Sequence, residues 1–402
     1  MIVVISIIAW AILFLAGLPL TILCLELLAG LWSGSGGTLG GTPKSISVLI
    51  PAHDEATGIA ATVEALKSVA PRNTQILVVA DNCSDDTAER ARTAGAQVIE
   101  RHDTVARGKG YALAFGRDYL AEQAGGPPDV VIVLDADCRL GEGSLEALSA
   151  IALQRGTPTQ AINLISPDLG APPMVQISSF AMLVKNLFRS RGMQRLGGAA
   201  LLTGTGMALP WQRIANAKLA TGSIVEDLAL GIELTREGYP PYLVEHAHVR
   251  SAPADMRDAL QQRKRWEHGF LDCLKNLALP VFSKGLKRWS RAEILLGLHL
   301  MVPPLALTMA VASMSFVVVC LLGWLGAQIA PAVILGILLA VAVALVLLAW
   351  LIEGQAFLSA KTLLRIPLYV LWKIPIYASF LRKPQANWNR TPRRNDQGSE
   401  DK

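Results

Sequence analysis

The sequence predicts an α/β domain built on a mostly parallel sheet and flanked by transmembrane helices. Residues from Met1 to Leu31 are almost wholly apolar, the middle of the chain alternates strand and helix signals, and two more apolar stretches follow, roughly Ile294 to Leu325 and Ile329 to Ile352. A chain of 402 residues that is 52% hydrophobic, with a mean hydropathy of +0.39, is too apolar for an ordinary soluble protein.

The first stretch carries Glu26 as its only charge and exceeds the roughly 20 residues a helix needs to cross a bilayer. It lacks the basic start of a signal peptide and is too long for an h-region, so a retained helix over residues 1–31 is expected. Residues 32–43, rich in glycine and serine, read as a flexible linker. The soluble domain is expected over 44–285, two transmembrane helices within 292–353, an interfacial helix over 354–381 and a basic polar tail over 382–402. Lys361, Arg365 and Lys373, with Pro367 and Pro375, argue that the region before the tail lies on the membrane as a broken helix. With three spans, the basic collar of Lys284, Lys287, Arg288 and Arg291 falls on the same side as the tail, which the positive-inside rule makes cytoplasmic. A net charge of +5 gives no argument for nucleic acid and fits membrane lipids or an anionic substrate. Five scattered cysteines without a CxxC indicate neither a disulfide framework nor a zinc site.

Within the soluble part, Ile46 to Ile50 reads as a strand that ends in Pro51-Ala52-His53-Asp54-Glu55 and leads to a helix from Ile59 to Val69. Gln75 to Ala80 is a second strand, running into Asp81-Asn82-Cys83-Ser84-Asp85-Asp86-Thr87, a turn rich in helix-capping side chains. Alternate acids there mimic a calcium loop, but Asp86 stands where its glycine should be and Arg92 where its glutamate should be. Arg107-Gly108-Lys109-Gly110 opens a helix from Tyr111 to Ala121 without the full spacing of a phosphate loop, which leaves Lys109 to meet a phosphate or solvent. Val130 to Leu134 is apolar on both faces, a strand buried on both sides, and it ends in Asp135-Ala136-Asp137. Ligands of open α/β sheets sit at the carboxyl ends of strands. Two carboxylates one residue apart offer hard oxygens that suit Mg²⁺ or Mn²⁺, and through it a diphosphate, although aspartate is also an ordinary turn residue.

Farther on, Gly141 to Gln154 is helical and Thr157 to Val175 shows no clear pattern. Gln176 to Gly192 is amphipathic, with Phe180, Leu183, Val184, Leu187 and Phe188 on a face that suits a core or a membrane surface. Gly204-Thr205-Gly206 lacks the third glycine of a dinucleotide loop, since Leu209 holds its place. Glu226 and Asp227 precede an apolar helical pattern, where acids also favour a helix start. Gln262, Arg265 and Trp266 share one helical face, which suits either an interfacial anchor or a surface for a diphosphate and a stacked sugar.

These segments, in this order, resemble a membrane-bound family 2 glycosyltransferase with a GT-A fold, similar to the cellulose, chitin and hyaluronan synthase branch. The resemblance rests on Val48 to Glu55, Val78 to Thr87, Asp135-Ala136-Asp137, Val225-Glu226-Asp227 and Gln262-Arg263-Lys264-Arg265-Trp266, and covers about Ser45 to Gly269. It implies inverting transfer of a sugar from a nucleotide-sugar donor, expected to be a UDP-sugar, to a saccharide or lipid-linked acceptor in exopolysaccharide or cell-envelope glycan synthesis. It further implies that Glu55 and Asp81, with Pro51 and Lys109, bind the donor, and that Asp135 and Asp137 hold Mg²⁺ or Mn²⁺ and the diphosphate. Asp227 would be the general base; Arg265 would assist the diphosphate, and Glu226, Gln262 and Trp266 the acceptor. Val225 stands in place of the usual threonine. No gating-loop motif follows Trp266, and three spans are few for a polymer channel, so export would call for a partner protein. The readings set against this one are a polyprenyl-phosphate sugar transferase, an Asp-x-Asp phosphatase, disfavoured by Arg139, and a non-catalytic membrane scaffold.

Overall fold

The strand and helix signals fold in the order in which they occur along the chain. The computed structural model describes residues 1–34, 41–220, 226–251, 267–371 and 373. After α1 (Ile2–Gly30) come β1 (Ile46–Ala52), α2 (Ile59–Val69), β2 (Thr74–Asp81), α3 (Thr87–Thr93), β3 (Gln97–Arg101), α4 (Lys109–Ala121), β4 (Val130–Val133), β5 (Cys138–Leu140), α5 (Ser144–Arg155) and β6 (Thr159–Ile165). α6 (Pro173–Leu183) continues through a π-helical turn, Val184–Arg189, into α7 (Ser190–Arg195). β7 (Met207–Pro210), α8 (Trp211–Ile214), α9 (Glu226–Arg236) and β8 (Tyr242–Ser251) complete the domain. The C-terminal helices are α10 (267–273), α11 (Leu279–Arg288), α12 (Arg291–Leu300), α13 (Leu305–Trp324), α14 (Ala330–Ile352) and α15 (Ala360–Leu363).

The strands form one sheet in the order β3-β2-β1-β4-β7-β6-β8-β5. Pairing is parallel from β3 through β2 and β1 to β4 and between β6 and β8; β4–β7, β6–β7 and β5–β8 are antiparallel. Strand alternation divides the core: Val48 and Ile50 of β1 pack with Ile59, Val63 and Leu148 on one face, while Leu49 packs with Leu113 and Leu120 of α4 on the other. Each such buried side chain contributes about 1.5–3 kcal/mol.

Where the sequence showed no pattern, over 157–175, the chain forms β6 and enters α6. Residues 176–192 are not one amphipathic helix. Ser178, Ser179, Asn186, Arg189 and Arg191 are buried along with Phe180 and Phe188, because β6 packs on one side of this segment and α1 on the other. The apolar stretch from Ile294 is also divided: α12 ends at Leu300, Pro303 and Pro304 interrupt the helix, and α13 starts at Leu305. Three helices, Ile2–Gly30, Leu305–Trp324 and Ala330–Ile352, are long and apolar enough to cross a membrane. After α14 the chain breaks into a 3-10 turn, Gly354–Ala356, and α15. Part of the linker and the polar tail lie outside the described residues.

The end of α1 is locked to the π turn and α7. Arg195 Nη1 donates to the Ala29 carbonyl (2.9 Å) and Arg191 Nη1 to that of Gly30 (3.2 Å), so two guanidinium groups satisfy carbonyls at the helix end. Backbones touch here: a Cβ on Gly30 would fall 1.9 Å from the Phe188 carbonyl oxygen, and one on Gly192 would fall 1.9 Å from that of Glu26. Glu26 itself accepts from Arg189 Nε (2.6 Å), and its other oxygen meets His299 Nδ1 (2.8 Å). These side chains are at most 4% exposed. A carboxylate so placed is tolerable only with its partners. Arg189→Met is therefore expected to destabilise the protein by about 3–5 kcal/mol, with Glu26→Gln added in the same chain recovering part of the loss. Thermal unfolding in nanodiscs reads both; an unchanged midpoint in the single variant would contradict this account of the junction.

Candidate active site

Because β1, β2 and β4 are parallel, the loops after them emerge at one edge of the sheet. β7 runs against β4, with Met207 opposite Val133, so the Gly204-Thr205-Gly206 loop enters at that same edge, where Gly206 N–H donates to the Val133 carbonyl (2.9 Å). Four loops distant in sequence are thereby brought together.

At the end of β4, Asp135 is half-buried and Asp137 exposed. The loop between them is fixed from both sides: Asp135 N–H donates to Thr205 Oγ1 (3.1 Å), and Thr62 Oγ1 donates to the Ala136 carbonyl (2.6 Å). Asp135, Asp137 and Cys138 can each place a ligand atom within 4.8 Å of the others. Burial first, then the charges of both aspartates, pushes the Cys138 thiol pKa far up, so the sulfur stays protonated and the carboxylate oxygens are the donors. Such a pair fits Mg²⁺ or Mn²⁺.

Lys109, the first residue of α4, is not left to solvent. Its ammonium is paired with the Asp135 carboxylate and donates to the Gly204 carbonyl (2.6 Å). Gly204 has φ +77, and a Cβ there would lie 3.1 Å from both Lys109 Nζ and Asp227 Oδ2. Asp227, in the first turn of α9, is thus beside the Lys109–Asp135 pair, with its other oxygen accepting from Leu228 N–H (2.8 Å). Burial raises the Asp227 pKa while Lys109 works to hold it down, and burial and then Asp227 raise that of neighbouring Glu226. Burial works against the Lys109 ammonium, but Asp135 and the other two acids outweigh it and raise its pKa.

On the other side of β1 the loops after β1 and β2 are knitted together. Ser84 N–H donates to Asp54 Oδ1 (2.6 Å), Glu55 N–H to Thr87 Oγ1 (2.7 Å), and His53 Nδ1 lies 2.7 Å from the Asp81 carbonyl. Asp81, only 6% exposed, accepts from Arg101 Nη1 (2.7 Å) and Asn82 Nδ2 (3.0 Å). Pro51 lies near the end of β1, opposite Val79. Pro51, Glu55 and Asp81 therefore share the edge that carries Asp135, Asp137, Lys109, Glu226 and Asp227. Val225, Gln262, Arg265 and Trp266 lie outside the described residues. Sequence reasoning missed Arg101, which ends a strand too polar to stand out, and Thr205. The two glycines around Thr205 were a visible signal, but of a carbonyl turned toward Lys109 and not of a dinucleotide loop.

The model of glycosyl transferase family group 2 matches residues 130–352, more than half of the chain, and that of glycosyl transferase family 2 matches residues 47–209. This protein belongs to glycosyl transferase family group 2. No curated protein matches the glycosyltransferase. Among solved structures it is similar to the mannosyltransferase PcManGT from Pyrobaculum calidifontis in complex with GDP-Man and Mn²⁺, at 16% identity over 93% of this chain and 100% of that one, with a TM-score of 0.54. Glucosyl-3-phosphoglycerate synthase from Mycobacterium tuberculosis, in complex with Mn²⁺, UDP and phosphoglyceric acid, matches at 21% identity over 59% of this chain and 82% of that one, with a TM-score of 0.37. The likeness to the mannosyltransferase is one of fold, and the fold is GT-A.

The electrostatics of the glycosyltransferase site can be read directly. In metal-free buffer, the carboxyl infrared band that disappears in Asp227→Asn should titrate above the ordinary carboxylate range. In Lys109→Met, which removes the cation favouring the ionised form, it should titrate higher still. A band at the same pH in both proteins would mean that Lys109 does not act on Asp227.

Proposed function

We propose that this enzyme transfers a sugar, with inversion, from a UDP-sugar to a saccharide or lipid-linked acceptor at the cytoplasmic face of a membrane, in the synthesis of an exopolysaccharide or cell-envelope glycan. The observation that carries the reading is the meeting, at Gly204, of the Asp227 carboxylate with the Lys109–Asp135 pair. A proton acceptor and a diphosphate-binding group are then close enough to serve the two ends of one displacement.

In this reading Asp227 takes the proton of the acceptor hydroxyl as its oxygen attacks the anomeric carbon, and the bond to the nucleoside diphosphate breaks on the opposite side. No covalent enzyme intermediate is needed, hence inversion. The raised pKa of Asp227 makes it a stronger base than a free carboxylate. Lys109 offers the leaving diphosphate a fixed positive charge. Asp135 and Asp137 would hold Mg²⁺ or Mn²⁺, which supplies Lewis-acid stabilisation of the leaving group when bound. Asp81, its carboxylate oriented by Arg101, together with Glu55 and Pro51, receives the nucleoside. By resemblance, Arg265 assists the diphosphate, and Glu226, Gln262 and Trp266 the acceptor. The collar Lys284, Lys287, Arg288 and Arg291, at the start of the C-terminal helices, supports a cytoplasmic site.

The test is purified protein in nanodiscs with a panel of UDP- and GDP-sugars and Mg²⁺ or Mn²⁺, reading released nucleotide and product size. Asp227→Asn should keep donor binding and lose transfer by a factor of about 10²–10⁴, the range for a general base. Asp137→Asn should weaken metal-dependent donor binding as well. Equal loss of donor binding in both would refute the separate roles, and an absence of turnover with every donor would leave a scaffold.

A further inference from the structure

The reaction as described makes no use of Lys185. Lys185 lies in the π-helical turn Val184–Arg189, and it is the only exposed residue among the six. Its neighbours Val184, Leu187 and Phe188 join the apolar cluster shared with α1, α13 and α14, and Arg189 reaches Glu26. A π turn inserts an extra residue and shifts the side chains that follow it out of α-helical register, a distortion found often at functional sites. Here the turn is held toward the catalytic loops. Asn186 Nδ2 donates to the Asn163 carbonyl (2.8 Å), and Asn163 Nδ2 donates to Thr203 Oγ1 (3.3 Å), next to Gly204.

The Lys185 ammonium makes no hydrogen bond or ion pair with any described residue. It stands over the Phe270 ring, 5.5 Å from the centroid. Asp227 and Glu267 are within electrostatic reach, Asp227 the more strongly. The donor's diphosphate already has Lys109 and the Asp135–Asp137 pair at the other end of the site. What remains is a positive charge with no ion-pair partner among the described residues, one residue from side chains packed against the candidate spans and within electrostatic reach of Asp227.

We infer that Lys185 binds a phosphate of the acceptor, and that the acceptor is a saccharide carried on a membrane lipid through a diphosphate. The sugar then lies between Lys185 and Asp227, with its lipid directed toward the apolar cluster. The reaction balances without further reagents: the acceptor oxygen bonds to the anomeric carbon, the donor's nucleoside diphosphate leaves, the proton passes to Asp227, and the acceptor's own phosphate ester is untouched. A lysine meets phosphate as a compact point charge and needs no fixed fork geometry, which suits a flexible diphosphate. This inference rests on the transfer reading above.

The test uses full-length protein in nanodiscs with its donor site first filled with UDP and Mg²⁺, or GDP where UDP does not bind. That first step examines the transfer reading by itself, and failure of both nucleotides would overturn it and this inference together. Farnesyl diphosphate, farnesol and inorganic diphosphate are then the probes, read by calorimetry. Farnesyl diphosphate is expected to bind at least tenfold more tightly than either of the others. Lys185→Ala should abolish its advantage over farnesol, Lys185→Arg should retain most of it, and UDP affinity should stay within twofold in both, which shows that the variants fold. Equal binding of farnesyl diphosphate and farnesol to the wild type, or an advantage that survives Lys185→Ala, overturns the assignment; the latter would leave Lys185 acting only on Asp227. Inorganic diphosphate binding as tightly as farnesyl diphosphate would point to a soluble sugar phosphate and overturn the lipid-linked acceptor.

Discussion

The active-site edge depends on one ammonium among three carboxylates. Asp135, after β4, and the adjacent Glu226 and Asp227, which open α9, meet in a part-buried pocket, where two carboxylates repel by up to about 4 kcal/mol at close range in an effective dielectric near 20. Lys109 is the group that offsets this repulsion, and it also holds the Gly204 carbonyl, so the same contact that lowers the electrostatic cost fixes the loop. The pKa directions follow from this. Asp135, paired directly, favours the charged state of Lys109, while Asp227 and Glu226 remain raised because burial outweighs what the shared cation can return.

That balance is held by buried hydrogen bonds. Gln160, 2% exposed, accepts from Thr203 N–H (3.0 Å) and donates to the Thr205 carbonyl (2.9 Å), so the loop around Gly204 is strapped at two points to the start of β6. Thr205 Oγ1 in turn accepts from Asp135. On the other side Asn163 links this loop to Asn186, in the π turn that also carries Arg189 and Lys185. In a low-dielectric interior each of these amides is costly to leave unpaired, which makes the chain of contacts from α1 to Asp135 act as one rigid piece.

How much of this was legible in the sequence follows from which forces write a local pattern. Strands buried on both faces do so: β1, β2 and β4 were visible as short apolar runs, and the acids at their ends marked the site edge. β8 was not visible, because Glu245, His246, His248 and Arg250 interrupt its apolar run, and β3, β5 and β7 are three to five residues long. Asp227 was found only through its place in a series of motifs, since an acid at a helix start has a local explanation of its own. Lys185 was hidden for another reason. A helical wheel places it on the polar side of an amphipathic segment, and only the fold brings it over the Phe270 ring and within electrostatic reach of Asp227.

The same limit explains Glu26. From the sequence it is a lone charge in an apolar span, where the physics says only that it is costly. Lipid is as apolar as leucine, so an apolar helix alone has little to favour one rotation or depth over another. The Glu26 contacts with Arg189 and His299, and the close approach of Gly30 to Phe188, supply that preference. They tie the rotation of α1 to the π turn rather than to the linker that follows it. The relation of the loops at the sheet edge to α1 is therefore set by a buried charge pair and a backbone contact.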